Sequence, residues 1–152
     1  MQETKVKGIV LGAIDFKEKD KLLSVFTLEE GLLSVVLKGV KSANAKNKFA
    51  KEPFCFADFI LQGSGDFRLA TEIGIIDSFY DITKNLDNFY AGSIVLNVVK
   101  CVVKNGNSNE PLFVEVLKAL KGLSYDNLNP KLVLILFLNR IISSFGYRFN
   151  LD

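Results

Sequence analysis

Five lysines, Lys38, Lys41, Lys46, Lys48 and Lys51, fall within residues 38–53, and the first carboxylate of that stretch is Glu52. Small and polar residues separate them (Gly39, Ser42, Ala43, Asn44, Ala45, Asn47), and one aromatic ring, Phe49, stands in polar company. Ammonium groups spaced in this way make point-charge contacts to phosphate, and the segment has no arginine to grip one with two prongs. Such contacts supply affinity for a polyanion without reading base sequence. Unpaired bases would also want aromatic platforms, for which Phe16, Phe49 and Phe67 are candidates, Phe49 first because of its neighbours. The plainer reading of each feature is structural. A like-charge run is commonly a solvated loop, and most of thirteen phenylalanines belong in a core.

Other chemistries find little support. There is no histidine, and Cys55 and Cys101 stand far apart outside any CxxC pair, so no zinc site is expected. Both cysteines lie among apolar residues and read as buried free thiols of a reducing compartment. Asp15, Glu18 and Asp20 alternate with Lys17 and Lys19, a self-neutralised loop rather than converging oxygen ligands. Gly63-Ser64-Gly65 lacks the Lys-Ser/Thr that completes a phosphate cradle. With no nucleophile–base pair in view, neither an enzyme nor a cofactor is expected. The net charge is only +2, but residues 1–53 hold ten lysines against seven acids, so the positive excess sits in the first third. The N-terminus has no apolar signal region. The most apolar run, residues 132–138, is cut by Asn139 and Arg140 and is too short to span a bilayer. A soluble cytoplasmic protein without a membrane segment is the expectation.

The elements that must carry these residues change character once along the chain. Residues 5–14, 21–27, 32–38, 54–62 and 67–77 are rich in β-branched and aromatic residues with period-two alternation, so each reads as a strand. Gly31 suits the left-handed position of a hairpin loop, and Gly8 and Gly12 allow close backbone approach within the first strand. Five strands in series, with the basic stretch as a long excursion between the third and fourth, fit an OB-fold; another small barrel or a meander remains open. From residue 79 the spacing becomes three-four. One helix is predicted over 83–104, ended by Asn105-Gly106. A second starts near Ser108 or Asn109 with Pro111 in its first turn, and a third is capped by Asn129 with Pro130 first and Gly146 at its end. The third is apolar almost all round and is expected to be the central, buried one. The fold class is therefore α+β, with a five-stranded barrel at 1–78 and a helical domain at 79–152. The helical part is apolar beyond the needs of three helices, which predicts a hydrophobic groove for a partner segment.

Taken in order, the motifs resemble the bacterial recombination mediator family RecO: Lys7-Gly8-Ile9-Val10-Leu11, Phe16 through Glu18 to Asp20-Lys21-Leu22-Leu23, Phe26-Thr27, Gly31, Lys38-Gly39-Val40-Lys41, Pro53-Phe54, then Phe145-Gly146-Tyr147 and Leu151-Asp152. The likeness runs the whole chain and is densest before residue 54. It implies an N-terminal OB-fold, a helical domain, binding of single- and double-stranded DNA, annealing of complementary strands and help in loading recombinase during DNA repair. The partners it implies are RecR and the acidic tail of single-stranded-DNA-binding protein, with Lys121, Arg140 and Arg148 as counter-charges. Under it Lys38, Lys41, Lys46, Lys48, Lys51 and Phe49 become the nucleic-acid-binding set. Many members carry a cysteine-rich zinc motif after the leucine–aspartate pair. The chain ends at Asp152, so the helical domain is read either as truncated or as naturally short. The competing reading is a protein-interaction adaptor, with the barrel as scaffold and the helical half holding partner peptides.

Overall fold

The computed structural model describes residues 2–39 and 48–149, with side chains described at 2–39 and 49–144. Five strands, β1 (Glu3–Phe16), β2 (Asp20–Thr27), β3 (Gly31–Leu37), β4 (Phe56–Gln62) and β5 (Phe67–Asp77), close into a barrel in the order β1-β2-β3-β5-β4. All pairings are antiparallel except β3 with β5. This is the five-stranded OB arrangement, and the barrel leaves no long open edge. β1 closes it by serving two partners. Its first half pairs with β4 from Glu3 to Ile9, and its second half pairs with β2 from Gly8 to Phe16. A bulge between Val10 and Gly12 lets the strand bend between the two. Gly8 sits at the crossing, where a Cβ would come within 2.4 Å of Val25 Cγ1.

Alternation sorts the side chains between two cores. Val6, Val10, Leu23, Val25, Leu33, Val35, Phe59 and Leu61 point inward, joined by Ala50 from a short 3-10 helix at Lys48–Lys51. Ile9, Leu11 and Phe26 point outward and pack with the helices. Those helices are α1 (Leu86–Val102), α2 (Glu110–Ser124) and α3 (Pro130–Phe149), preceded by a 3-10 turn at Tyr80–Lys84. The Asn85, Asn109 and Asn129 side chains each accept a backbone N–H, from Asn88, Leu112 and Lys131, at the start of their helices. Phe113 of α2 lies between Phe26 and Phe56 of the barrel, with ring centroids at 5.2 and 5.9 Å. The α1–α2 connector presses against the β2–β3 hairpin: Leu32 N–H donates to Lys104 O, and a Cβ on Gly31 would meet Asn107 O at 2.3 Å. Gly31 is also left-handed (φ 72°), so two independent constraints require glycine there.

Three expectations need correction. α3 is not the central helix: among its described residues Val133, Phe137 and Ile141 are buried, while Leu132, Ile135, Leu136 and Ile142 are exposed. α2 takes the enclosed place, with Leu112, Phe113, Val116, Ala119, Leu120 and Leu123 buried against α1, α3 and the barrel. Apolarity of a segment records what it can bury, whereas its position decides how many of its faces are covered. Nor does Gly146 end α3, which runs on to Phe149. A glycine inside a helix costs only about 1 kcal/mol relative to alanine, too little by itself to stop one. Finally, Cys55 is buried but Cys101 is exposed, because it falls on the outer side of the last turn of α1. No described helix is long and apolar enough to cross a membrane.

Candidate nucleic-acid interface

The helices cover only part of the outer barrel wall. Where they stop, Gly12, Ser24, Ser34 and Phe67 stand in register across β1, β2, β3 and β5. Register places all four on one face. The adjacent row is Ile14, Leu22, Val36 and Leu69. Together they make a floor of small, hydroxyl and apolar groups, and a groove of about 410 Å³ opens over Gly12, Ile14, Leu22, Ser24 and Ser34. One lining side chain comes from the helical half: Lys100, near the end of α1, with Nζ 3.9 Å from where a side chain on Gly12 would begin.

Aromatic groups border the same wall. Phe16 ends β1 and Phe67 begins β5, yet their ring centroids are 6.0 Å apart at a 59° tilt. Lys17 Nζ lies 5.5 Å from the centre of the Phe16 ring, within reach of a cation–π attraction. Phe67 is 53% exposed. Asp15 and Asp20, read from the sequence as a neutralised loop, are held locally: Asp15 pairs with Lys21 at 2.7 Å, and Asp20 Oδ1 accepts the Gly39 N–H. That bond anchors the start of the basic stretch beside Lys38, which is exposed at the end of β3. Among the described residues no group of three or more His, Cys, Asp or Glu is placed to hold a metal ion.

The barrel end beneath is braced by a buried charge. Arg68 donates to both carboxylate oxygens of Glu30, at 2.9 and 2.6 Å, and to Gly65 O at 2.8 Å. It thereby ties the β2–β3 turn to the β4–β5 turn. The hydrogen bonds from Arg68 hold the Glu30 carboxyl below its ordinary range and raise the guanidinium in return. Thr27 is buried in the same turn, donating to Gly31 O and accepting Glu30 N–H.

The three aromatic candidates therefore divide. Phe16 and Phe67 meet, whereas Phe49 is 51% exposed and stands elsewhere, edge-on to Tyr80 with centroids 6.0 Å apart. Of the five lysines, Lys38 is exposed and Lys51 half-buried at the end of the 3-10 helix. Lys41 and Lys46 lie outside the described residues, as does the Lys48 side chain. In the helical half, Arg140 reaches across to Glu115 of α2 at 2.9 Å, so its charge is already engaged. Lys121 is exposed on α2, and the Arg148 side chain lies outside those described. A groove of about 170 Å³ does run between α2 and α3, floored by Ala119, Gly122, Val133 and Phe137, with Lys118 and Arg140 and also Glu115 and Asp126 at its sides. Sequence reading missed Lys100, Tyr80 and the Gly12–Ser24–Ser34 row. Only Lys17, adjacent to Phe16, carried a local signal.

Comparison with known proteins agrees with this architecture. The family model for the N-terminal part of recombination protein O matches residues 1–79, and that for its C-terminal part matches residues 83–152. The chain is 26% identical over 148 residues to DNA repair protein RecO of Clostridium novyi (strain NT), covering 97% of this chain and 58% of that one. It is 29% identical to DNA repair protein RecO of Clostridium acetobutylicum, with 97% and 60% covered, and 29% identical to that of Chlorobaculum parvum, with 94% and 56% covered. The chain thus spans a little over half the length of these relatives. An OB barrel carrying a helical domain, matched in chain order by both family models, leads to one assignment: the chain belongs to the recombination protein O family.

Proposed function

We propose that this chain is the DNA-handling part of a recombination mediator, holding single-stranded DNA in the groove over β1, β2 and β3. The observation that carries the reading is the composite wall: small and hydroxyl residues in register, an aromatic pair at one border, and Lys17, Lys38 and Lys100 around it. Bases stack on exposed rings whatever their identity, and lysines follow the phosphates. The site is thus suited to strands of any sequence. Lys38, Lys41, Lys46, Lys48 and Lys51 extend it as phosphate contacts, with the long basic segment beginning at the groove's edge. The names of the relatives, DNA repair protein RecO, support the setting. Annealing of complementary strands, recombinase loading with RecR, contact with the tail of single-stranded-DNA-binding protein and a cytoplasmic location follow from the family. The contact with that tail would draw on Lys121, Arg140 and Arg148 as counter-charges. No step in this activity is catalytic.

Binding of a labelled oligothymidylate, measured as anisotropy from low to moderate salt, tests the reading. Each phosphate neutralised on a single strand contributes about −0.7 to the log–log slope, so three or four contacts predict about −2 to −3. Replacing Lys38 and Lys100 by glutamine should flatten the slope by about 1.4 and weaken binding to every sequence alike. A slope near zero, or unchanged binding in that double variant, would instead favour the adaptor reading. The exposed apolar positions of α3 give that reading its own observation.

A further inference from the structure

A second cluster repeats the composition of the first at the opposite end of β5. Phe49 and Tyr80 face each other edge-on at 6.0 Å and 73°, and Lys84 Nζ lies 5.6 Å from the centre of the Tyr80 ring. Phe16, Phe67 and Lys17 show the same arrangement at 6.0 and 5.5 Å. Both rings of the second pair are about half exposed, at 51% and 53%. β5 runs eleven residues between Phe67 and Asp77, about 30 Å of strand at its ordinary rise, and Tyr80 lies three residues beyond. One nucleotide cannot touch both pairs.

Tyr80 is held outward rather than merely left there. Its neighbour Phe79 is left-handed (φ 51°) and fully buried, with its N–H on Asp77 Oδ1. Ile82 is buried two residues later, and Thr83 Oγ1 donates to Tyr80 O at 2.6 Å. Two buried side chains therefore fix the turn that presents the tyrosine, and Ala50, buried in the barrel beside Phe49, fixes the other ring. Exposed rings on a rigid base lose little entropy when a planar ligand stacks on them.

We propose that Phe49 and Tyr80 form a second base-stacking site for single-stranded nucleic acid, separate from the groove over β1–β3. The proposal rests on the reading given above and adds to it the capacity to engage two strand segments at once. Its chemistry differs in one respect. Lys84 is paired with Asp81 at 3.0 Å, so the lysine beside the tyrosine ring is already engaged, and positive charge for phosphate comes from the chain around Phe49, where Lys51 ends the same 3-10 helix.

The chain contains no tryptophan, so a single introduced indole reports on one place. Tyr80→Trp and, separately, Phe67→Trp are titrated with oligothymidylate while indole fluorescence is followed. A second reporter, Phe49→Trp, guards against local misfolding of the first, and circular dichroism checks each variant. The expected result is quenching in both Tyr80→Trp and Phe67→Trp. Quenching of Tyr80→Trp should persist when Phe16→Ala and Phe67→Ala are added. Tyr80→Ala should weaken binding of a long oligonucleotide by about tenfold, toward the low end of what loss of one stacked base produces. If Phe67→Trp is quenched and neither Tyr80→Trp nor Phe49→Trp responds, the second site is refuted while the groove stands, and these rings belong to a protein contact. Loss of the Tyr80→Trp response in the Phe16→Ala/Phe67→Ala background would mean one continuous site and also refute the proposal. Silence at all three positions would overturn the groove reading as well.

Discussion

Arg68 is the buried charge among the described residues, a guanidinium held by Glu30 and a carbonyl. Because the pair lowers the Glu30 pKa, its contribution is fully present above the ordinary carboxylate range, near 4.5. It fades as pH falls through the depressed value. Glu30→Gln should therefore destabilise the protein at pH 7 by about 1.5–3 kcal/mol, the scale of a lost hydrogen bond to a charged group. The gap from the parent should narrow in acid. Urea unfolding at several pH values measures it, and a gap that stays constant down to low pH would show that the pair contributes no linkage. The cysteines give a second test at this scale. Burial, with the negative charge of Asp77, pushes the Cys55 thiol up to about 12, whereas Cys101 is exposed. Thiolate is the reactive form, so native protein should take up one equivalent of alkylating reagent. Cys101→Ser should take up none until unfolded.

At the scale of elements, β1 does the most to shape the site, and its two glycines have different tasks. Gly8 is a packing glycine, with Val25 2.4 Å and Phe59 3.4 Å from any added Cβ. Gly12 follows the bulge and faces the groove, where the nearest atom would be Lys100 Nζ at 3.9 Å. Gly8→Ala should cost about 1–3 kcal/mol through overpacking. Gly12→Ala should leave stability within about 0.5 kcal/mol and act, if at all, on binding. Parallel melts and titrations of the two variants separate the roles. The glycines were visible in the sequence as places of close approach. Which of them met a side chain and which met open space depended on the register of β1 against β2.

For the whole molecule, the decisive feature is that the second core is shared. Ile9, Leu11 and Phe26 from the barrel lie in one cluster with residues of all three helices, so neither half completes that core alone. Phe113, packed between Phe26 and Phe56, is its centre. The chain should unfold in one cooperative transition. Phe113→Ala should cost about 3–5 kcal/mol and, by weakening the joint, should be the variant in which barrel and helices separate into two transitions. Calorimetry checks both statements; a biphasic melt in the unmodified chain would contradict them. Lys100 reaches the groove only because this joint sets α1 beside β1, so the same substitution should also weaken binding to single-stranded DNA.

Local chemistry determined much of this protein. The change from period two to period three-four, asparagine caps at helix starts, left-handed Gly31 and Gly106, and a lysine-rich excursion between the third and fourth strands all follow from residue type and near neighbours. These are preferences of a few successive residues, and they survive whatever the rest of the chain does. The tertiary structure decided which aromatic rings meet, since Phe16 and Phe67 are distant in sequence and touch only through barrel closure. It likewise decided that Phe49 joins Tyr80, that Lys100 borders a barrel groove, and that the apolar third helix keeps Ile135 and Ile142 exposed. Each of these depends on strand register or on how many neighbours a helix finds, and no short stretch of sequence carries that information.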